Sequence, residues 1–218
     1  MENYSYMKFS GELHEVRLIN FSVDKEELKA QLPKGLKLLD YHGRALISMV
    51  DVKLKNMKTA SFLPAFSYRH IGFRLLIDDH YINEISPKGI YFIQSFTENP
   101  LMIFAGNIVA DFNLSSAKIT GENNDVRIQQ GSKFIEYSIT DEKYSATNSS
   151  LYEVVKRIDR AYAFKNENAV VTKITRLEWP IEQVKAISFK TNFFESAQLE
   201  GAFKVNKVIH YVWEKPLK

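Results

Sequence analysis

The 218-residue sequence contains no cysteine. That absence excludes disulfides, thiolate zinc sites, iron–sulfur clusters and a cysteine nucleophile. Long hydrophobic runs are missing too. The longest, Leu101 to Gly106, is far too short to span a bilayer, and Met1 to Phe9 is polar and aromatic without the apolar stretch of a secretion signal. No membrane contact and a cytoplasmic location are expected. Glycine (9) and proline (6) are sparse, and no glycine-rich phosphate loop, His-Glu-x-x-His or Gly-x-Ser-x-Gly occurs. The strong signatures of nucleotide binding, zinc hydrolysis and serine hydrolysis are therefore absent. Neither sign of charge dominates, because 29 basic and 26 acidic residues are interspersed for a net charge of +3. Such a surface has no strong field for nucleic acid. The histidines, His14, His42, His70, His80 and His210, stand apart, none two or four residues from another, so neither a metal nor another cofactor is expected.

What is present reads as one globular domain over residues 1–218. Hydrophobic residues are 45%, charged residues 25% and aromatics 13%, and a chain of this size can hide roughly 70% of its unfolded surface. Asp24 to Leu32 reads as a short helix, with Asp24 and Glu27 at capping-box spacing and Pro33 and Gly35 as the stop. Arg44 to Lys55 and Tyr68 to Ile77 alternate as half-buried strands. His80 to Ser86, Ile90 to Thr97, Leu101 to Phe112 and Ala117 to Thr120 follow as strands in a meander rhythm, bounded by turn residues. Asp125 to Gln130 and Lys133 to Thr140 form a hairpin about Gly131-Ser132. The period then changes: Leu151, Val154, Val155, Ile158 and Tyr162 lie on one helical stripe. Val170 to Trp179 is a strand, Pro180 opens a helical turn through Ala186, and Ala202 to Trp213 closes the chain as one strand. The class is α+β, mostly antiparallel β.

Among these segments Tyr68 to Arg74 is the most suggestive chemically. Alternation puts His70 and Arg74 opposite the Ile71/Phe73/Leu75 row, with Gly72 leaving space between them. An imidazole can act as acid or base near neutral pH, and a guanidinium can hold a carboxylate bidentately. A polar strand face is equally what a solvent-facing strand presents.

The order of signals resembles the uncharacterised YqjF-like family of the acetoacetate decarboxylase-like superfamily. The resemblance runs from about Phe21 to Ala186. It rests on Leu32-Pro33-Lys34-Gly35-Leu36, Gly89-Ile90-Tyr91-Phe92, Trp179-Pro180-Ile181 and the strand ending in Arg74. It implies a curved antiparallel sheet closing into a barrel, with a few covering helices and a central ligand cavity. Decarboxylases of the superfamily form a Schiff base on a lysine that follows a Phe-Pro pair. Here Phe112-Asn113 stands at that pair and Leu114-Ser115 at the lysine position, so the resemblance implies that the nucleophile is missing. Lys118 would sit about 13 Å along a strand from Leu114, out of reach of the same carbon. Of the family's polar strand positions only Arg74 carries over, since His70 and Gly72 replace a glutamate and an asparagine.

The expected function is binding of a small organic molecule bearing a carboxylate or carbonyl, without decarboxylation. Arg74 is the anchor, and Tyr91, Leu114 and Ser115 line the cavity. An alternative is acid/base catalysis by His70, aided by Tyr91, in the same cavity. A third reading makes the domain an assembly module, with a homo-oligomer formed through aromatic patches at Ser61 to Phe66 and Thr191 to Phe194.

Overall fold

Residues Phe9–Val23 form one long strand, β1, in the computed structural model, which describes residues 8–59, 64–79, 89–103, 113–144, 149–165 and 168–217. β1 is hydrogen-bonded along both edges. One edge pairs antiparallel with β3 (Arg44–Lys58), which also carries the two-residue β2 (Asp40–Tyr41). The other edge is shared: Phe9 to Leu13 pair with β14 (Ile209–Leu217), and Val16 to Ser22 pair with β13 (Gln198–Val205). β13 and β14 thus lie end to end along β1. The expected single strand from Ala202 to Trp213 is two strands, broken at residues 206–208.

Two sets of pairings leave this strand. β3 continues through β4 (Phe66–Ile77), β5 (Gly89–Thr97), β10 (Arg160–Lys165) and β11 (Asn168–Arg176) to β14, which returns to β1. Seven strands therefore close a ring of hydrogen bonds, in which only β5–β10 is parallel. From β13 a second path runs through β12 (Glu182–Thr191), β9 (Lys133–Lys143), β8 (Asp125–Gln130) and β7 (Lys118–Thr120). The short β6 (Leu114–Ser116) pairs in parallel with β5 beyond the end of β10.

β1, β3 and β4, flanked by β5, form a wall that is buried on both faces, as the unbroken buried stretches of the first three show. Alternation sorts their side chains. Leu18, Leu46, Leu76 and Ile90 join Ala161 and Ile209 inside the ring. Ile19, Ile47, Ile71 and Phe73 face the second path, packing on Ile128, Tyr137, Val184 and Phe194. Among the described residues the helices are few. α1 (Lys25–Leu28) anchors through the buried Leu28, and α2 (Ser149–Lys156) packs Leu151 and Val155 into the ring-side core. No helix among the described residues is long and apolar enough to cross a membrane.

Several sequence expectations hold. The strands at Arg44, Tyr68, Ile90, Asp125 and Lys133 form, and Gly131 turns the β8–β9 hairpin at φ 58°, a conformation glycine takes without steric cost. Others change. α1 is shorter than Asp24 to Leu32, and the expected capping box does not form: Glu27 accepts from the backbone N–H groups of Glu195 and Ser196 instead. Residues 100–103 are helical rather than extended, with the Asn99 side chain accepting from the Leu101 N–H; the remainder of Leu101 to Phe112 lies outside the described residues, as does His80 to Ser86. Tyr162 belongs to β10, not to the helix before it. Pro180 opens no helix, and Glu182 to Thr191 is the strand β12. β1 itself was not read from the sequence.

Phe21 ties the wall to the second layer. It is fully buried, with its ring 6.2 Å from Phe73, 5.2 Å from Phe189 and 5.9 Å from Phe194. Phe21→Ala should cost about 3–5 kcal/mol, measured as a fall in urea unfolding free energy.

Candidate functional site

β4 directs Tyr68, His70, Gly72, Arg74 and Leu76 into the ring, the parity shared with Leu46, Ser48 and Val50 of β3. Burial deepens along β4 from the half-buried Phe66 and Tyr68 to Arg74, which is 7% exposed. Half-buried Tyr211 and Trp213 of β14 join them, so aromatic rings surround the shallow end of the interior.

At the deep end the Arg74 guanidinium donates from Nε to the Ser48 carbonyl at 2.9 Å and from an Nη to Ser48 Oγ at 2.8 Å. Among the described residues no carboxylate pairs with it. A second guanidinium, Arg176 of β11, acts on it from across the ring. Burial, and then the Arg176 charge, push Arg74 down to about 9; burial likewise lowers Arg176 to about 10, with Asp159 opposing. Both remain charged at neutral pH. Arg176 donates to the Ile158 carbonyl and lies 4.3 Å over the Trp179 ring. Asp159 itself pairs with Arg160 at 2.8 Å. Among the described residues, two guanidinium groups thus lie in a poorly solvated place with no carboxylate on Arg74, an arrangement that favours an incoming anion.

His70 is 6% exposed, edge-on between the rings of Tyr68 (6.1 Å) and Phe92 (6.0 Å). The space expected beside Gly72 is filled: a Cβ there would lie 2.7 Å from the Phe92 ring and 3.0 Å from His70 Nε2. Glycine at 72 is required by that close approach. Burial first, and the Arg74 charge second, hold His70 down to about 4 against a weaker pull from Asp51. It is a neutral imidazole at neutral pH, poorly matched to acid/base work there.

Leu114 and Ser115 lie elsewhere. With Gln31, Ile93, Gln94, Asn113 and Gln130 they line an open cleft of about 510 Å³ where β6 begins. Amides and hydroxyls link across it: Gln94 donates to Gln130 at 2.7 Å, Gln130 to Ser115 Oγ at 3.0 Å, and Ser115 to the Ser95 carbonyl at 3.2 Å. Tyr91 is on the outer face of β5, with its ring 6.2 Å from Phe164, so it does not join His70 and Arg74. The strand breaks at Ala117; Lys118 is exposed and pairs with Gln129. Among the described residues no lysine is buried, and none of them gathers three His, Asp or Glu side chains about a metal position. Phe193 and Phe194 pack into the core rather than forming a patch, while Ser61 to Leu63 lie outside the described residues.

Sequence reasoning missed Ser48, Arg176 and Gln94. Arg176 had a signal, since it shares parity with Val170, Thr172 and Ile174 on a strand with an apolar face. Gln94 had none, because an irregularity in the β4–β5 ladder at Ile93 sets its direction.

Residues 11–215 match the family DUF2071, described as "Uncharacterized conserved protein (COG2071)". The chain belongs to this family. No curated protein matches it. Among solved structures, acetoacetate decarboxylase from Legionella pneumophila is similar to this DUF2071 protein, with TM-score 0.64 and 13% identity over 100% of this chain and 90% of that one. An acetoacetate decarboxylase-like enzyme from Sphingomonas wittichii RW1 gives 0.61 and 10% over 98% and 94%. The enduracididine biosynthesis enzyme MppR, complexed with the condensation product of pyruvate and imidazole 4-carboxaldehyde, gives 0.59 and 14% over 96% and 86%. The DUF2071 chain thus has an acetoacetate decarboxylase-like fold, as its motifs suggested.

Two substitutions test the packing of the ring interior. Gly72→Ala should destabilise by about 1–3 kcal/mol in urea unfolding, because neither neighbouring ring has room to retreat. Between pH 6.5 and about 4 the unfolded chain binds a proton at His70 that the folded protein does not, so stability is lost as pH falls through that window. That share, about 3 kcal/mol, should disappear in His70→Gln, leaving a flatter profile of unfolding free energy against pH.

Proposed function

We propose that this domain binds a small molecule bearing a carboxylate, with or without a neighbouring carbonyl, inside the barrel-like ring, with Arg74 as the anchor. The observation that carries this reading is the Arg74 guanidinium: nearly buried, bonded among the described residues to Ser48 alone, and under the charge of a second guanidinium, Arg176. A ligand carboxylate would supply the missing negative charge and accept from an unspent N–H. The half-buried aromatic rim of Phe66, Tyr68, Tyr211 and Trp213 gives such a ligand an apolar entrance. MppR, whose fold is similar, has been seen with pyruvate, a small keto acid.

The chemistry stops short of a Schiff base. Leu114 and Ser115 stand where the resemblance puts the lysine, and an activated lysine is desolvated, whereas the described lysines are not buried. The amide-lined cleft at Ser115 offers neutral hydrogen bonds in place of a nucleophile. His70, held neutral and packed between rings, serves this reading as part of the wall.

Borohydride added with pyruvate or acetoacetate should leave the intact mass of the protein unchanged; a reduced adduct on any lysine would overturn the claim. In parallel, calorimetry should detect pyruvate binding to the wild type that weakens about tenfold to a hundredfold in Arg74→Gln. Equal affinity in the two proteins would remove Arg74 from the site.

A further inference from the structure

A second cluster of cationic groups lies at the point where β13 and β14 part along β1. His14 and Glu15 sit between the two stretches of β1 paired on that edge, and the ladder to β3 carries an extra residue there. Glu15 takes the left-handed conformation at φ 51°, uncommon for a residue other than glycine. The opening is a groove of about 370 Å³, lined on its charged side by Glu15, Arg17, Asp141, Lys204 and Lys207 and by the amide of Asn124.

Arg17 is 4% exposed, and among the described residues its Nε–H has no acceptor. Its Nη atoms reach the Glu15 carbonyl at 3.1 Å and the Glu15 carboxylate at 3.5 Å. The carboxylate directly across the β3 ladder, Asp51, is already committed: Arg69 holds it bidentately at 2.8 and 2.6 Å, and the Tyr137 hydroxyl donates to it at 2.5 Å. On its other side Arg17 faces Lys204, its register partner in β13. Like charges directly opposite on a sheet repel. Lys204 is held by Asn124 at 3.0 Å and by Asp141, which uses two of its three donors. Glu15 is also bonded by Lys53 at 2.8 Å, and that hydrogen bond holds its carboxyl below the usual range. Asp141 is thus matched by Lys204, and Glu15 is shared between Arg17 and Lys53, which among the described residues leaves the Arg17 Nε–H and the third Lys204 donor to spare.

We propose that this groove is a second binding site, separate from the ring interior, for a small oxyanion: one carboxylate or phosphate group bridging Arg17 Nε and Lys204 Nζ. Bridging removes the repulsion between the paired cations and gives the buried Nε–H its acceptor. The groove is open at Lys207 and Val208, so the rest of the ligand would extend toward the β13–β14 connection.

The test is thermal unfolding of the full chain in low-salt buffer with inorganic phosphate and, separately, acetate. A saturable rise in Tm with either anion is expected, at least tenfold weaker in apparent affinity in Arg17→Gln and Lys204→Gln, and unchanged in Arg74→Gln and in the exposed control Lys185→Gln. Response to phosphate alone or acetate alone supports the site and assigns its group. No saturable response would overturn it, as would equal loss in Lys185→Gln or loss confined to Arg74→Gln. Should Arg17→Gln fail to fold, Lys204→Gln carries the comparison.

Discussion

Because β1 is hydrogen-bonded to β3 on one edge and to β13 and β14 on the other, the chain on both sides of it is folded back into the protein. Neither face of the wall it forms with β3, β4 and β5 meets bulk water over most of its length. A polar side chain on that wall must therefore find its partner inside. The wall answers this demand in three different ways, and its functional reading follows from the contrast.

On the outer face Asp51 is matched completely. Arg69 and Tyr137 satisfy the carboxylate; for Arg69 burial works against the charge, but the Asp51 hydrogen bond, the Asp51 charge and Tyr137 together outweigh it and raise its pKa, while burial and then the Asp51 charge raise that of Tyr137. That cluster is closed and structural. On the inner face Arg74 has neutral partners and a like charge nearby, and at the β13–β14 break Arg17 faces Lys204. Donors left to spare in these two places, beside a carboxylate matched so fully at Asp51, are what the two proposed anion sites rest on.

Alternation carried most of what the sequence revealed. Tyr68 to Ile77 could be read as a strand with Ile71 and Phe73 on one face and His70 and Arg74 on the other, and that is how β4 sits. Parity alone does not say that both faces are buried, so a polar face of the kind a solvent-facing strand presents lies inside a ring. The length and role of β1 were hidden because Glu12, His14, Glu15 and Arg17 interrupt its apolar pattern at the bulge. β12 was hidden by Pro180, which suggests a helix start but here precedes a strand held by β9 and β13. Leu114 and Ser115 were named for a cavity shared with Arg74 and Tyr91, whereas the structure gives them a cleft of their own. Ladder irregularities and closure of the ring decide such placements, and both depend on distant pairings that no local pattern records.

The central claim is that an anion enters the ring to meet Arg74. The most direct measurement is arginine side-chain NMR, following the Nε–H signal of Arg74, assigned with Arg74→Gln, during a pyruvate titration. A saturable shift of that signal, with Arg69 unmoved, is expected. If pyruvate binds while the Arg74 signal stays in place, or leaves every arginine signal unchanged at saturating concentration, the ring interior is packing and not a binding site.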